Sequence, residues 1–206
     1  MSTTTTDWLV FQNAEQTAPG TVWSRVVRFN SQMVFDVSNG DTHSQNTVGP
    51  GEFSNSVRLW GVTLPSDIPE QAVLIGVEVR LANSVPLVRA VDETRMLMLG
   101  TSAVGANLAL TGDIPANHTD RISGGPSNLW GTSLTIADIG PDFGFRYRAF
   151  NPSEKVDAEV RASRAAVRFT FEIPPTLVRV GGSPPDRLYL GGTQATSAYL
   201  GSDRVF

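Results

Sequence analysis

Between Val73 and Leu81 every second residue is apolar, Val73, Ile75, Val77, Val79 and Leu81, with Glu78 and Arg80 set between them. A period of two gives an extended chain one apolar and one polar face, which is the signature of a half-buried β-strand. The same period returns in Phe143, Phe145 and Tyr147, which alternate with Gly144, Arg146 and Arg148, and in Val167, Phe169, Phe171 and Ile173, which alternate with Arg168, Thr170 and Glu172. The chain also holds 19 Gly and 13 Pro, too many interruptions for long helices. These features predict an all-β fold, an antiparallel, jelly-roll-like β-sandwich.

Glu154 to Ala166 is the one rival segment, because Glu, Lys, Ala and Arg favour helix and Val156 and Val160 share a helical face. Val156, Ala158, Val160 and Ala162 also alternate, in even phase, whereas Val167 to Ile173 is in odd phase. Strand is the preferred reading, and it requires a bulge or bend near Ser163 to Ala165.

Other segments follow the same logic. Ser2 to Thr6 is polar and β-branched without a core pattern, and is expected to be a flexible lead before Trp8, Val10 and Phe11 anchor the chain. Thr21 to Phe29, Gln32 to Val37 and Phe53 to Thr63 read as strands. Arg95 to Leu99 and Ala103 to Leu110 read as a pair joined at Gly100, the second short enough to be a loop. Thr111 to Asn128, with Pro115, Gly124, Gly125 and Pro126, reads as a long surface loop. Thr135 to Asp138 has room for one helical turn before Gly140-Pro141.

After Pro174-Pro175 the pattern changes. Val178-Arg179-Val180-Gly181, Leu188-Tyr189-Leu190-Gly191 and Ala198-Tyr199-Leu200-Gly201 align on a ten-residue period. Each unit offers three strand-like residues and then Gly, which tolerates the turn conformations that hairpins need. A unit this short cannot bury its own apolar face, so it needs company. Leu188, Tyr189, Leu190, Gly191, Tyr199, Leu200, Gly201 and Phe206 are therefore the candidate assembly interface; a last hairpin closing the domain's own sheet is the alternative. The expected organisation is a lead at 1–7, a sandwich at 8–174 and a repeat tail at 175–206.

Charge and motifs narrow the function. The net charge of −4 opposes a phosphate backbone, and the 15 Arg are scattered rather than gathered in a stripe, so nucleic-acid binding is not expected. Lys155 is the sole Lys, and Arg suits planar interface contacts, although genomic base composition gives the same skew. No apolar run approaches the ~20 residues of a membrane span, and no membrane insertion or cofactor is expected. With no Cys, thiolate metal sites and disulfides are excluded. His43 and His118 lie in polar segments without metal-ligand spacing, so no metal site is expected. Asp113, Asp120, Asp138 and Asp142 read as turn and capping acids in preference to a glycosidase pair. Hydrolase and nucleotide-binding motifs are missing, and no catalytic residue is assigned. Trp60 and Trp130 read as core rather than as sugar-stacking platforms, and GGPSNLWG as a turn before a core Trp.

Two internal segments and the C-terminus carry a resemblance. LPSDIPEQAVLIGVEVRL, from Leu64 to Leu81, resembles an Ile-Pro segment followed by a Gly-Val-Glu-Val strand in a sandwich domain of phage and prophage virion proteins. GGPSNLWGTSLTIADIGPDFGFRYRA, from Gly124 to Ala149, is similar to that family's Gly-Gly, Leu-Trp-Gly, Ala-Asp and Phe-Gly-Val landmarks. LYLGGTQATSAYLGSDRVF looks like the closing segment of phage tail-associated proteins. The resemblance implies a non-enzymatic virion component, tail-associated (minor tail, fibre or adaptor) with a capsid decoration or cement protein as the alternative. Its implied partners are other virion proteins and sister copies, as a trimer or ring, and its implied location is the virion. A host-surface glycan, held by the Thr111 to Asn128 loop, is a further alternative.

Overall fold

The computed structural model describes residues 2–24 and 44–174, together with four two-residue segments nearer the C-terminus. The strands up to residue 174 are β1 (Ser2–Thr5), β2 (Leu9–Val10), β3 (Asn13–Thr17), β4 (Ser44–Val48), β5 (Ser56–Trp60), β6 (Val73–Ser84), β7 (Val91–Leu99), β8 (Ser102–Val104), β9 (Thr119–Gly125), β10 (Phe143–Phe150) and β11 (Ala158–Ile173). Among the described residues the one helical segment is a 3-10 turn at Ile136–Asp138, held by a capping box in which Thr135 and Asp138 satisfy each other.

Every strand pair is antiparallel. One sheet runs β4-β11-β6-β9, with β1 and β2 continuing beyond β4 along the same edge of β11. The facing sheet runs β3-β5-β10-β7-β8. From β4 to β11 the strands interleave as 4-11-6-9 opposite 5-10-7-8, the double Greek key of a jelly roll, as the alternating segments led us to expect. Val57, Leu59, Leu97, Phe143 and Phe145 from one sheet pack against Val77, Val79, Leu81, Val167, Phe169 and Phe171 from the other, all buried. Phe143 meets Phe169 edge-on across the two sheets at 5.2 Å.

The phase change in β11 lies where the sequence requires it. Pairing with β6 slips between Ser163 and Ala166, and Arg164 takes a left-handed φ of 52° at the slip. The inward set is Ala158, Val160 and Ala162 before the bulge and Ala165, Val167, Phe169 and Phe171 after it. One extra residue therefore keeps a 16-residue strand facing the core along its whole length.

Four expectations are corrected. β6 contains its own slip: Thr170 pairs with Gly76 but Phe171 with Leu74, so Leu74 is buried while Val73 is 55% exposed and Ile75 is half-buried. Apolar residues on both sides of the slip hide it from a period-of-two reading. Ser2–Thr5 is no loose lead but an edge strand on β11, with the Thr5 and Thr170 hydroxyls 3.2 Å apart. Trp8 is clasped on the outer face between the guanidiniums of Arg80 and Arg168, at 4.7 and 4.6 Å.

The third correction concerns Thr111 to Asn128, of which Thr119–Gly125 is β9. Its alternation is inverted: the register with β6 turns Arg121 and Ser123 inward and leaves Ile122 43% exposed. Hydrophobic periodicity cannot find a strand whose inner face is polar. The fourth concerns Trp60, which β5 places on the outward face beside Arg58 and leaves half-buried; Trp130, by contrast, is core at 1% exposure. The expected strands Thr21–Phe29 and Gln32–Val37 lie largely outside the described residues, although Trp23 is buried.

Gly124 shows how closely β9 approaches its neighbours. Its φ is +87°, and a Cβ there would sit 2.6 Å from Trp130 Nε1 and collide with the Val77 carbonyl. Gly124→Ala is expected to cost about 1–3 kcal/mol, combining backbone strain with overpacking. Chemical denaturation of the two proteins measures the difference.

The chain divides into two compact units, 1–174 and 175–206. Among its described residues the second holds two hairpins. Tyr189–Leu190 pairs with Thr193–Gln194, and Tyr199–Leu200 pairs with Asp203–Arg204, each as its own two-stranded sheet.

Candidate functional site

The candidate interface residues sit as follows. Tyr189 and Leu190 form the first strand of one hairpin, and Tyr199 and Leu200 the first strand of the other, ten positions later. In each, two residues separate the paired strands, Gly191-Gly192 and Gly201-Ser202, a spacing and composition that two-residue hairpins favour. Leu188, Gly191, Gly201 and Phe206, and the unit around Gly181, lie outside the described residues.

Sequence reasoning did not anticipate the polar cluster between the two sheets. Asn83 of β6, Asp92 and Arg95 of β7, Arg121 and Ser123 of β9 and Tyr147 of β10 meet there. Asn83 Nδ2 donates to Asp92 Oδ1 at 3.0 Å and to the Tyr147 hydroxyl at 3.1 Å. Arg95 Nη1 donates to the Arg121 carbonyl at 3.1 Å and to Ser123 Oγ at 3.3 Å. Asp92 Oδ2 lies 2.9 Å from Arg95 Nε and 3.0 Å from Arg121 Nη1, ionic contacts that are close but not aligned as hydrogen bonds.

Burial lowers the Arg95 pKa, an effect that Asp92 opposes, and burial raises that of Tyr147. A signal for this cluster was present in the sequence. Asn83 continues the inward phase of Val79 and Leu81, and Arg95 shares the phase of Leu97 and Leu99. Locked between sheets and closed to solvent, the cluster ties the sheets together and offers nothing to a ligand.

The accessible chemistry lies on the outward face of the five-stranded sheet. Along β10 the outward residues are Gly144, Arg146, Arg148 and Phe150, and β5 adds Arg58 and Trp60 beside them. Arg58 pairs with Glu15 of β3 at 3.0 Å and lies 4.5 Å from the centre of the Trp60 ring. Arg148 pairs with Glu93 at 2.6 Å and lies 4.6 Å from the centre of Phe53, which itself contacts Phe150 at 4.7 Å. The hydrogen bond from Arg148 holds the Glu93 carboxyl below its ordinary pKa against a burial effect that raises it. Arg146, between these two pairs, makes no ion pair or hydrogen bond among the described residues.

Beyond Arg148 the face runs into an open cleft of ≈ 430 Å³, lined by Pro19, Gly20, Thr21, Glu52 and Phe53 among others. Gly144 shapes the opposite end. A Cβ there would collide with the Leu59 carbonyl oxygen and lie 3.1 Å from the Trp60 Cβ, so the close approach of β5 requires a glycine.

The remaining candidates are engaged structurally. Asp113 pairs with Arg89 at 2.6 Å and Asp120 with Arg164 at 2.9 Å, while Asp138 caps the 3-10 turn and the Asp142 carbonyl accepts from the Gly100 amide. His118 lies 3.2 Å from Ser84 Oγ and 2.8 Å from Ser163 Oγ, bridging β6 and β11; His43 lies outside the described residues. The GGPSNLWG segment is a turn that delivers Trp130 to the core, where its Nε1 donates to the Val77 carbonyl at 2.9 Å. With β9 inside this segment and Trp130 buried, Thr111 to Asn128 supplies no aromatic platform for a sugar. Among the described residues no cluster of His, Cys, Asp and Glu is arranged to hold a metal ion.

The class defined at this point is a jelly-roll β-sandwich with a separate C-terminal hairpin unit. No protein-family model and no curated protein matches the chain. Among solved structures, one described as "CBM4 structure and function" is similar to it, with a TM-score of 0.38 and 12% identity, covering 78% of this chain and 92% of the other.

Proposed function

We propose that the chain is a non-catalytic structural subunit of a phage virion, tail-associated, that acts through protein–protein assembly. The observation that carries this reading is the pair of hairpins one ten-residue step apart, each paired within itself among the described residues. Two-stranded units of this size are marginal in water, so a sequence that repeats them favours stacking against sister copies or a neighbouring virion protein. The resemblance of Leu64–Leu81, Gly124–Ala149 and the C-terminus to virion proteins points the same way.

Ending the chain after Pro174 tests the reading. The full chain is expected to sediment as an oligomer and the shortened one as a monomer with an unchanged β-rich circular dichroism spectrum. A shortened chain that keeps the oligomeric state of the full one would refute the role given to the hairpins. On particles that contain the protein, gold-labelled antibody is expected on the tail; label on the head would favour the decoration alternative.

The outward face from Trp60 to the Phe53 cleft favours a second reading, a host-glycan binding module. Half-exposed aromatic rings beside planar guanidiniums suit the apolar faces and hydroxyl edges of sugars.

A further inference from the structure

We propose that the outward face of the five-stranded sheet binds an acidic polysaccharide, with Trp60 as the stacking surface and Arg146 as the receiver of the sugar carboxylate; this deepens the glycan-binding reading and rests on it. Three cations, Arg58, Arg146 and Arg148, project from neighbouring positions of β5 and β10; Arg58 is paired with Glu15 and Arg148 with Glu93, while Glu52 lies beside Arg148 in the cleft. Arg146 is the one of the three with no ion pair or hydrogen bond among the described residues.

The planar fork of a guanidinium takes a carboxylate through two parallel hydrogen bonds, and Arg146 presents one from the central strand of the sheet. Its flanking arginines cannot do so without breaking their own pairs. The register of β5 and β10 places Trp60 opposite Gly144, two residues along β10 from Arg146. The strand rise of ~3.3 Å per residue puts the backbone positions of Trp60 and Arg146 about 7 Å apart along the strand direction, within the span of one or two sugar rings.

Shape separates a glycan from an acidic peptide. β5 and β10, which carry Trp60 and Arg146, are each paired on both sides, so neither offers an open edge on which a peptide could add main-chain hydrogen bonds. What the face offers is a ring surface and a fork-shaped cation, a combination suited to a flat ring bearing a carboxylate.

Affinity electrophoresis of the full chain provides the test, in gels containing polygalacturonate, hyaluronate or polysialic acid, with fully methyl-esterified polygalacturonate and poly-glutamate as comparisons. Retardation by at least one acidic polysaccharide is expected, weakened by salt and absent with the neutral ester. Arg146→Gln is expected to weaken that binding about tenfold or more and Trp60→Ala by about tenfold, since each removes one charge-assisted or stacking contact. Arg161→Gln, on the other sheet, should leave binding unchanged, and matched melting temperatures separate lost contact from lost fold.

Equal binding to the ester and the acid would overturn the carboxylate assignment and leave a neutral-glycan module standing. Equal binding to poly-glutamate would instead identify a general acidic-chain surface and overturn the choice of a sugar. No retardation by any polysaccharide, together with no binding on a host-surface glycan panel, would overturn both the inference and the reading beneath it.

Discussion

Asp92→Ala should lose roughly 3–5 kcal/mol of stability, because it leaves Arg95 and Arg121 facing each other in the sandwich interior with no counter-charge. The Asp92 and Arg95 side chains are fully shielded from solvent and Arg121 nearly so. Water therefore cannot screen what the carboxylate now neutralises. Asn83 also loses an acceptor, and an unpaired buried amide adds to the cost.

Removing the whole ionic set has a different consequence. The triple replacement Asp92→Leu, Arg95→Met and Arg121→Leu is expected to recover most of the loss, since a buried ion pair and its apolar replacement are often close in energy. Urea denaturation of the three proteins, with the slope compared as well as the midpoint, reads this directly. A single variant within about 1 kcal/mol of the parent would show that the cluster is reached by water.

Trp130→Ala is the second large effect, expected at about 3–5 kcal/mol. The residue is 1% exposed, meets Phe145 edge-on at 6.4 Å and donates its indole N–H to the Val77 carbonyl of β6. It also occupies a left-handed backbone conformation, φ 59°, at the end of the turn from β9. Loss of the ring opens a cavity beside Gly124, whose missing side chain exists to admit that indole. Trp130→Phe keeps most of the volume and strands only the carbonyl, so its cost should fall to about 1–2 kcal/mol. Thermal melts of both variants rank them; equal losses would mean that the hydrogen bond, and not the volume, dominates.

Particular strands show how far pattern reading reached. The alternation in β10 and the phase change in β11 were legible because both strands carry an apolar inner face, and a bulge is the simplest way to reconcile two phases in one strand. The slip within β6 was not, because Val73, Leu74 and Ile75 are all apolar and either phase fits. β9 was read as loop because its inner face, Arg121 and Ser123, is polar, and it is polar because it completes the cluster around Asp92. Ser2–Thr5 carries no apolar stripe because it is held at an edge mainly by backbone pairing with β11.

The candidate binding face was still less legible. Trp60 looked like a core residue by its neighbours Val57 and Leu59, yet strand phase sends it to the opposite side. Arg146 is unremarkable in sequence. Its meaning depends on Arg58 and Arg148 each having found a carboxylate on another strand.

Alone, the sequence determined the all-β class, the strands with an apolar inner face, the bulge in β11 and the ten-residue register of the C-terminal units. Each of these follows from short-range periodicity, which the backbone geometry of a strand imposes on neighbouring residues. The tertiary structure decided the jelly-roll order, the buried cluster of Asn83, Asp92, Arg95, Arg121 and Tyr147, and the outward face on which Arg146 has no ion pair among the described residues. Those depend on which strands lie side by side, for instance Arg95 and Arg121, 26 positions apart in the chain. Pairing over such separations is set by the packing of the whole sandwich, and no local pattern encodes it.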